Sequence, residues 1–144
     1  MNKPVSFELA KLLKEKEYQE KVNTKFGYCD GGEIDEFNTI FSDTYENFNL
    51  EFSERQKFIN KNGIDELEEF SAPTIADVVM WLYDKHEIWI NVIKTYEIIN
   101  QEAFDKFSSI IQFKDGSYVD NTGYHNTPTE SYESAIENTL NNLL

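Results

Sequence analysis

The sequence predicts an α+β fold: a small, mainly antiparallel sheet with N-terminal, central and C-terminal helices packed on it. Three observations carry that prediction. Capped segments with helical apolar spacing open the chain, recur near residue 75 and close it. Alternating apolar segments lie between them. Gly-bearing turns join those segments. At 144 residues the chain reads as a single domain over 1–144, long enough to bury a core without disulfides or metals.

The first helix is read from KPVSFELAKLLKEKEY. Ser6 is placed to cap it, and Glu8 sits in the first turn where the helix dipole favours an acid. Val5, Leu9, Leu12 and Leu13 form one apolar stripe, widened by Phe7 and Ala10. Lys11, Lys14 and Lys16 read as a solvated face. Phe26 and Tyr28 flank Gly27 in a short strand, and Asp30-Gly31-Gly32 is a turn that makes it half of a hairpin.

Residues 34–53 carry two signals. Phe37, Ile40, Phe41 and Tyr45 fall at helical spacing, although the Asn, Thr, Ser and Asp among them are poor helix formers. Phe48, Leu50 and Phe52 alternate with Asn47, Asn49 and Glu51, which predicts a half-buried strand with the polar set outward. Ser53 and Gln56 form a capping-box pattern, so a short helix is expected over 54–61, with Gly63 as its stop. Residues 64–73 read as a connection.

The stretch SAPTIADVVMWLYDKHEIWINV is the most legible. Pro73 disfavours helix at Ala72, Thr74 can cap, and Asp77 three residues later nearly completes a capping box. Ile75, Val78, Val79 and Leu82 make the core stripe, and the helix should end near His86. The period then changes to two: Ile88, Ile90 and Val92 on one face, Trp89, Asn91 and Ile93 on the other. That second face is too apolar for open solvent, so partial cover is expected. Ile111 and Phe113 alternate with Ile110 and Gln112, and Lys114-Asp115-Gly116 turns a hairpin. DNTGYHNT reads as polar loop. Thr127, Pro128 and Glu130 start the last helix, with Tyr132, Ala135, Ile136, Leu140 and Leu143 as its buried stripe.

Composition excludes several classes. Aromatic residues make up 15% of the chain, which argues for a folded protein although the mean hydropathy is -0.58. No apolar run reaches the ~20 residues a membrane helix needs, and the charged N-terminal segment does not resemble a signal peptide. A single cysteine, Cys29, points to a reducing, cytoplasmic compartment. The net charge is -14, with eight acids and no Lys or Arg between residues 26 and 54. Nucleic-acid binding needs clustered bases, so it is not expected, and a basic partner, or simple solubility, fits better.

Three segments, SFELAKLLKEK (6–16), APTIADVVMWLYDKHEIWINV (72–92) and TPTESYESAIENTLNNLL (127–144), resemble a known kind of protein. They are similar to the small uncharacterised proteins of bacteriophages, prophages and other mobile elements of gut anaerobic bacteria. Residues 29–70 depart from that pattern and read as an insertion in it. The resemblance implies a small mobile-element protein with helices on a sheet. It implies no reaction, and no functional residue carries over. Trp81, Lys85 and His86 match as parts of the helix end.

No catalytic or metal-binding residue is assigned. Cys29, His86 and His125 are too scattered for a zinc site. DGGEIDE and DGSYVDNTG do not follow the calcium-loop pattern and are explained by turn chemistry. Cys29 stands beside Asp30, which would raise rather than lower a thiol's pKa. No Gly-rich phosphate loop occurs, and no cofactor is expected. His86 suits a helix C-terminus, and His125 sits in a loop where it could serve a site.

The candidate binding residues are Phe37, Phe41, Tyr45, Trp81 and Trp89. Trp81 reads either as a core edge or as a contact surface, and Trp89 as either. The aromatic, acidic segment 26–54 is either a strand with an acidic solvent face or a surface for a basic partner. Three functions follow from this reading: an accessory protein acting by protein–protein contact, an acidic DNA mimic that inhibits a nucleic-acid-binding enzyme, and a small enzyme using loop residues such as His125.

Overall fold

The computed structural model describes residues 3–27, 38–49 and 69–144. The fold is α+β; among the described residues there are three helices and two antiparallel sheets of three strands each. The chain divides into two compact units, one of Pro4–Pro73, the other of Thr74–Leu144 with Met1–Lys3.

In the first unit, α1 (Phe7–Glu15) is followed by β1 (Val22–Gly27), β2 (Asn38–Glu46) and β3 (Phe70–Ser71), in sheet order β2-β1-β3. Ser6 Oγ accepts from the Leu9 amide at 3.2 Å, the expected cap. Val5, Leu9, Ala10 and Leu13 are buried, while Leu12 is only half-buried. Phe7 stands edge-on to both Phe26 and Phe70, with centroids 5.5 and 5.3 Å away. Lys14 is not a simple solvated residue: its ammonium donates to the Glu69 carbonyl at 3.0 Å and lies 4.7 Å from the Phe70 ring centroid.

Four expectations for this unit are corrected. The helical spacing of Ile40, Phe41 and Tyr45 belongs to a strand, β2, paired antiparallel to β1. β-branched and aromatic residues suit a pleated surface, and pairing to β1 supplies the backbone partners that poor helix formers could not secure. Asn47–Asn49 are not strand: Asn47 is irregular, and Phe48 and Asn49 form a turn. Asn49 does not face solvent. It is buried, donates to the Tyr18 carbonyl at 2.8 Å and accepts from the Ser71 amide at 2.9 Å. A side-chain amide thereby ties three separate segments together. The connection before Pro73 contains the short β3. The Asp30-Gly31-Gly32 turn, Leu50 and Phe52 and the helix over 54–61 lie outside the described residues.

In the second unit, α2 (Ile75–His86) leads into β4 (Ile88–Ile99), β5 (Glu102–Phe113), β6 (Tyr118–His125) and α3 (Pro128–Asn138), closed by a π-helical turn, Thr139–Leu143. The sheet order is β4-β5-β6. Both bonds of the Thr74–Asp77 capping box are present. α2 stops because Glu87 takes a left-handed conformation (φ 56°), and the strand begins one residue later. α2 packs on β4, and α3 packs across all three strands. The core between them joins Val78 and Leu82 of α2, Ile88, Ile90 and Ile111 of the sheet, and Ala135, Ile136 and Leu140 from the chain end.

The polar loop expected over 120–127 is instead mostly strand, β6. Asn121 explains how such polar residues are accommodated. Its amide donates to Ser109 and Ser134 Oγ at 3.0 Å each, and its carbonyl accepts from Asn138 at 3.2 Å. A buried polar side chain is tolerated when its hydrogen bonds are met, and here they fasten α3 to the sheet. Phe107 and Ser109 flank an irregularity in the β5–β6 register.

Candidate functional site

β4 and β5 form a hairpin of twelve residue pairs, from Ile88–Phe113 to Ile99–Glu102, without a register shift. Asn100 and Gln101 both adopt positive φ (52° and 66°), as a two-residue type I′ turn requires. The hairpin is uniform in pairing and divided in environment. At the end near the turn to α2, Ile88, Ile90 and Ile111 are buried. At the far end Ile93, Tyr96, Ile98, Ile99 and Phe104 are exposed, Tyr96 at 67% and Ile98 at 68%. Isolated exposed apolar residues are ordinary; here they cluster at one end of the hairpin and fall on both faces, Tyr96 and Ile98 on one, Ile93, Ile99 and Phe104 on the other.

Alternation assigns the faces. Trp89, Ile93, Phe104 and Tyr118 share the face opposite the one that carries buried Ile90 and Ile111. Trp89 and Ile93 are partly covered, as expected, and remain 37% and 45% exposed. Trp89 is held in place. Tyr83 of α2 meets its ring edge-on at 5.3 Å, and its Nε1 donates to Asn91 Oδ1 at 2.8 Å. The Asn91 amide in turn donates to Gln112 at 3.4 Å. An aromatic ring fixed in one rotamer, with its N–H satisfied, can contact a partner with little loss of side-chain entropy. Further along, Thr95, Tyr96, Glu97, Lys106 and Tyr124 line a shallow depression.

The other sequence-predicted binding residues are dispersed. Phe41 and Tyr45 are exposed on β2, at 75% and 68%. Trp81 is buried, edge-on to His86 at 4.7 Å, so it belongs to the core edge and is not a contact surface. Phe37 lies outside the described residues. Phe41 and Tyr45 belong to one compact unit and Trp89 to the other.

Among the described residues no three His, Cys, Asp or Glu side chains converge on a metal-sized site. Nor is any described helix long and apolar enough to cross a membrane. His125 is not in a loop but ends β6, and its Nδ1 is buried without a hydrogen-bond partner. Comparison with protein-family models, with curated proteins and with solved structures gave no match.

Proposed function

We propose that this chain is a non-enzymatic accessory protein of a bacteriophage or other mobile element, acting by contact with another protein. The observation that supports protein contact is the exposed apolar residues on the far half of the β4–β5 hairpin, Tyr96 and Ile98 on one face and Ile99 and Phe104 on the face that also carries Trp89 and Ile93. The mobile-element origin rests on the resemblance of residues 6–16, 72–92 and 127–144. A net charge of -14 favours a partner with a basic surface, because opposite potentials speed encounter and disfavour wrong partners. The single cysteine fits a reducing compartment, the host cytoplasm.

Affinity capture from a bacterial host lysate tests this reading, with nuclease added and at low and high salt. One stoichiometric protein, retained by the native chain and lost by a Trp89→Ser/Ile93→Ser variant, is expected. High salt should weaken its retention. Capture of nothing, or equal capture by the variant, would count against the reading.

A further inference from the structure

We infer that the outer edge of β4 accepts an extended segment of a basic protein as a fourth strand of the β4-β5-β6 sheet. This rests on the protein-contact reading above and names how the contact is made.

The argument begins with the backbone. In the order β4-β5-β6, β4 pairs on one side only among the described residues. A two-residue turn makes its closing pair, Ile99–Glu102, a hydrogen-bonded one. Alternation then points the N–H and C=O of Ile99, Glu97, Thr95 and Ile93 at β5. Those of Ile98, Tyr96 and Lys94 point at the outer edge.

Free edges invite pairing, and proteins blunt them with Pro, bulges or short strands. The two edges of this sheet differ in this respect. β6 is eight residues long, meets β5 through a register shift and holds Gly123 at φ 114°. β4 is twelve residues long, has no Pro and runs without a shift. Lys94 is its one basic residue, and Asp105 already engages it at 3.4 Å.

Charge selects the occupant. Residues 74–144 hold eleven acids and four Lys. Glu97 and Glu102 occupy diagonal positions on the open face, since Glu97 pairs with Phe104 and Ile99 with Glu102. Neither has an ion-pair partner among the described residues, and Lys106, across from Thr95, is engaged by Asn126 at 2.8 Å. A strand laid along β4 would set one side chain beside Glu97, and a Lys or Arg there would meet an unneutralised carboxylate, with Glu102 one strand further in adding to the negative field. On the other face it would meet Tyr96 and Ile98. The fitting segment therefore alternates basic and apolar residues, with backbone bonds giving affinity and alternate side chains giving specificity.

A labelled peptide of about ten residues, a usual strand length, alternating Lys and Val, tests this by fluorescence polarisation against the full chain. A Glu–Val peptide is the control. The Lys–Val peptide should bind, and the Glu–Val peptide should not. Tyr96→Pro removes one outward N–H without touching the β5 ladder. It should weaken binding by about tenfold or more, whereas Tyr96→Thr, which keeps the N–H, should retain most of it. Glu97→Gln should weaken Lys–Val binding and lessen its salt dependence. Circular dichroism checks that each variant is folded, and Lys94→Pro replaces Tyr96→Pro should the latter unfold. Equal binding of both peptides, no binding of either, or full binding by the folded proline variant would overturn the inference. If the proline variant still captures the same lysate protein as the native chain, strand addition fails while the protein-contact reading stands.

Discussion

The near and far halves of the β4–β5 hairpin share two strands, one register and one regular ladder. The near half carries Ile88, Ile90 and Ile111 beneath α2 and α3, all buried. The far half carries Tyr96, Ile98, Ile99 and Phe104, all exposed. Composition does not distinguish them, since both are rich in β-branched and aromatic residues. What differs is cover. Apolar side chains contribute to stability only where folding takes them out of water. The near half is thus structure, and the far half is surface held in shape by the near half.

The contrast can be broken most forcefully at matched isoleucines. Ile111→Ala should destabilise the chain by about 2–5 kcal/mol in urea unfolding, the range for large-to-small core changes. Ile98→Ala should change it by no more than about 0.5 kcal/mol. Similar losses at the two sites would mean that the far half is covered after all. Next in size is the polar fastening of α3. Asn121→Ala leaves Asn138 and buried Ser109 with lost partners, so a loss of about 1–3 kcal/mol is expected from the same unfolding curves. Thr74→Ala removes the cap of α2 and half of its box. It should cost about 1 kcal/mol and leave peptide binding at the far half intact.

The smallest effect lies at the exposed turn between β5 and β6. The Ser117 hydroxyl and amide both donate to the Asp115 carboxylate and hold it below the ordinary aspartate range. A depressed folded value means that this contribution is complete above the unfolded value and fades as pH falls through the folded one. Asp115→Asn should therefore flatten the acid side of the stability–pH profile slightly and leave neutral pH almost unchanged. A marked change on the alkaline side would contradict this assignment.

Helix starts were the most legible part of the sequence. Ser6, Thr74 with Asp77, and Thr127 before Pro128 all cap as their chemistry predicts, because a cap is a local bond between residues two or three apart. Strands were harder to read where tertiary partners decide. β6 hid behind Asp120, Asn121 and Thr122, whose polarity resembles a loop until Ser109 and α3 supply bonds. β2 hid behind a spacing that also fits a helix. The end of β4 had no Gly to mark it, since Asn100-Gln101 makes the turn.

Of the candidate site, Trp89 was visible as an apolar residue on a second strand face. The far half of the hairpin was not. Its apolar residues fall on both faces, Tyr96 and Ile98 on one and Ile99 and Phe104 on the other, so the one-sided pattern that flags a half-buried strand never forms. That two-sided exposure was the available signal, and only strand pairing gives it meaning. Trp81, by contrast, could be read either way from sequence and proved to be buried.

Native-state hydrogen exchange along β4 tests the division most directly. The amides of Trp89, Asn91, Thr95 and Glu97 all bond to β5 by the same alternation, so they differ in cover and not in pairing. The account predicts that Trp89 and Asn91 exchange only with global unfolding, while Thr95 and Glu97 exchange far faster through local opening of the far half. Equal protection at all four would contradict it, because the far half would then be as much a part of the core as the near half.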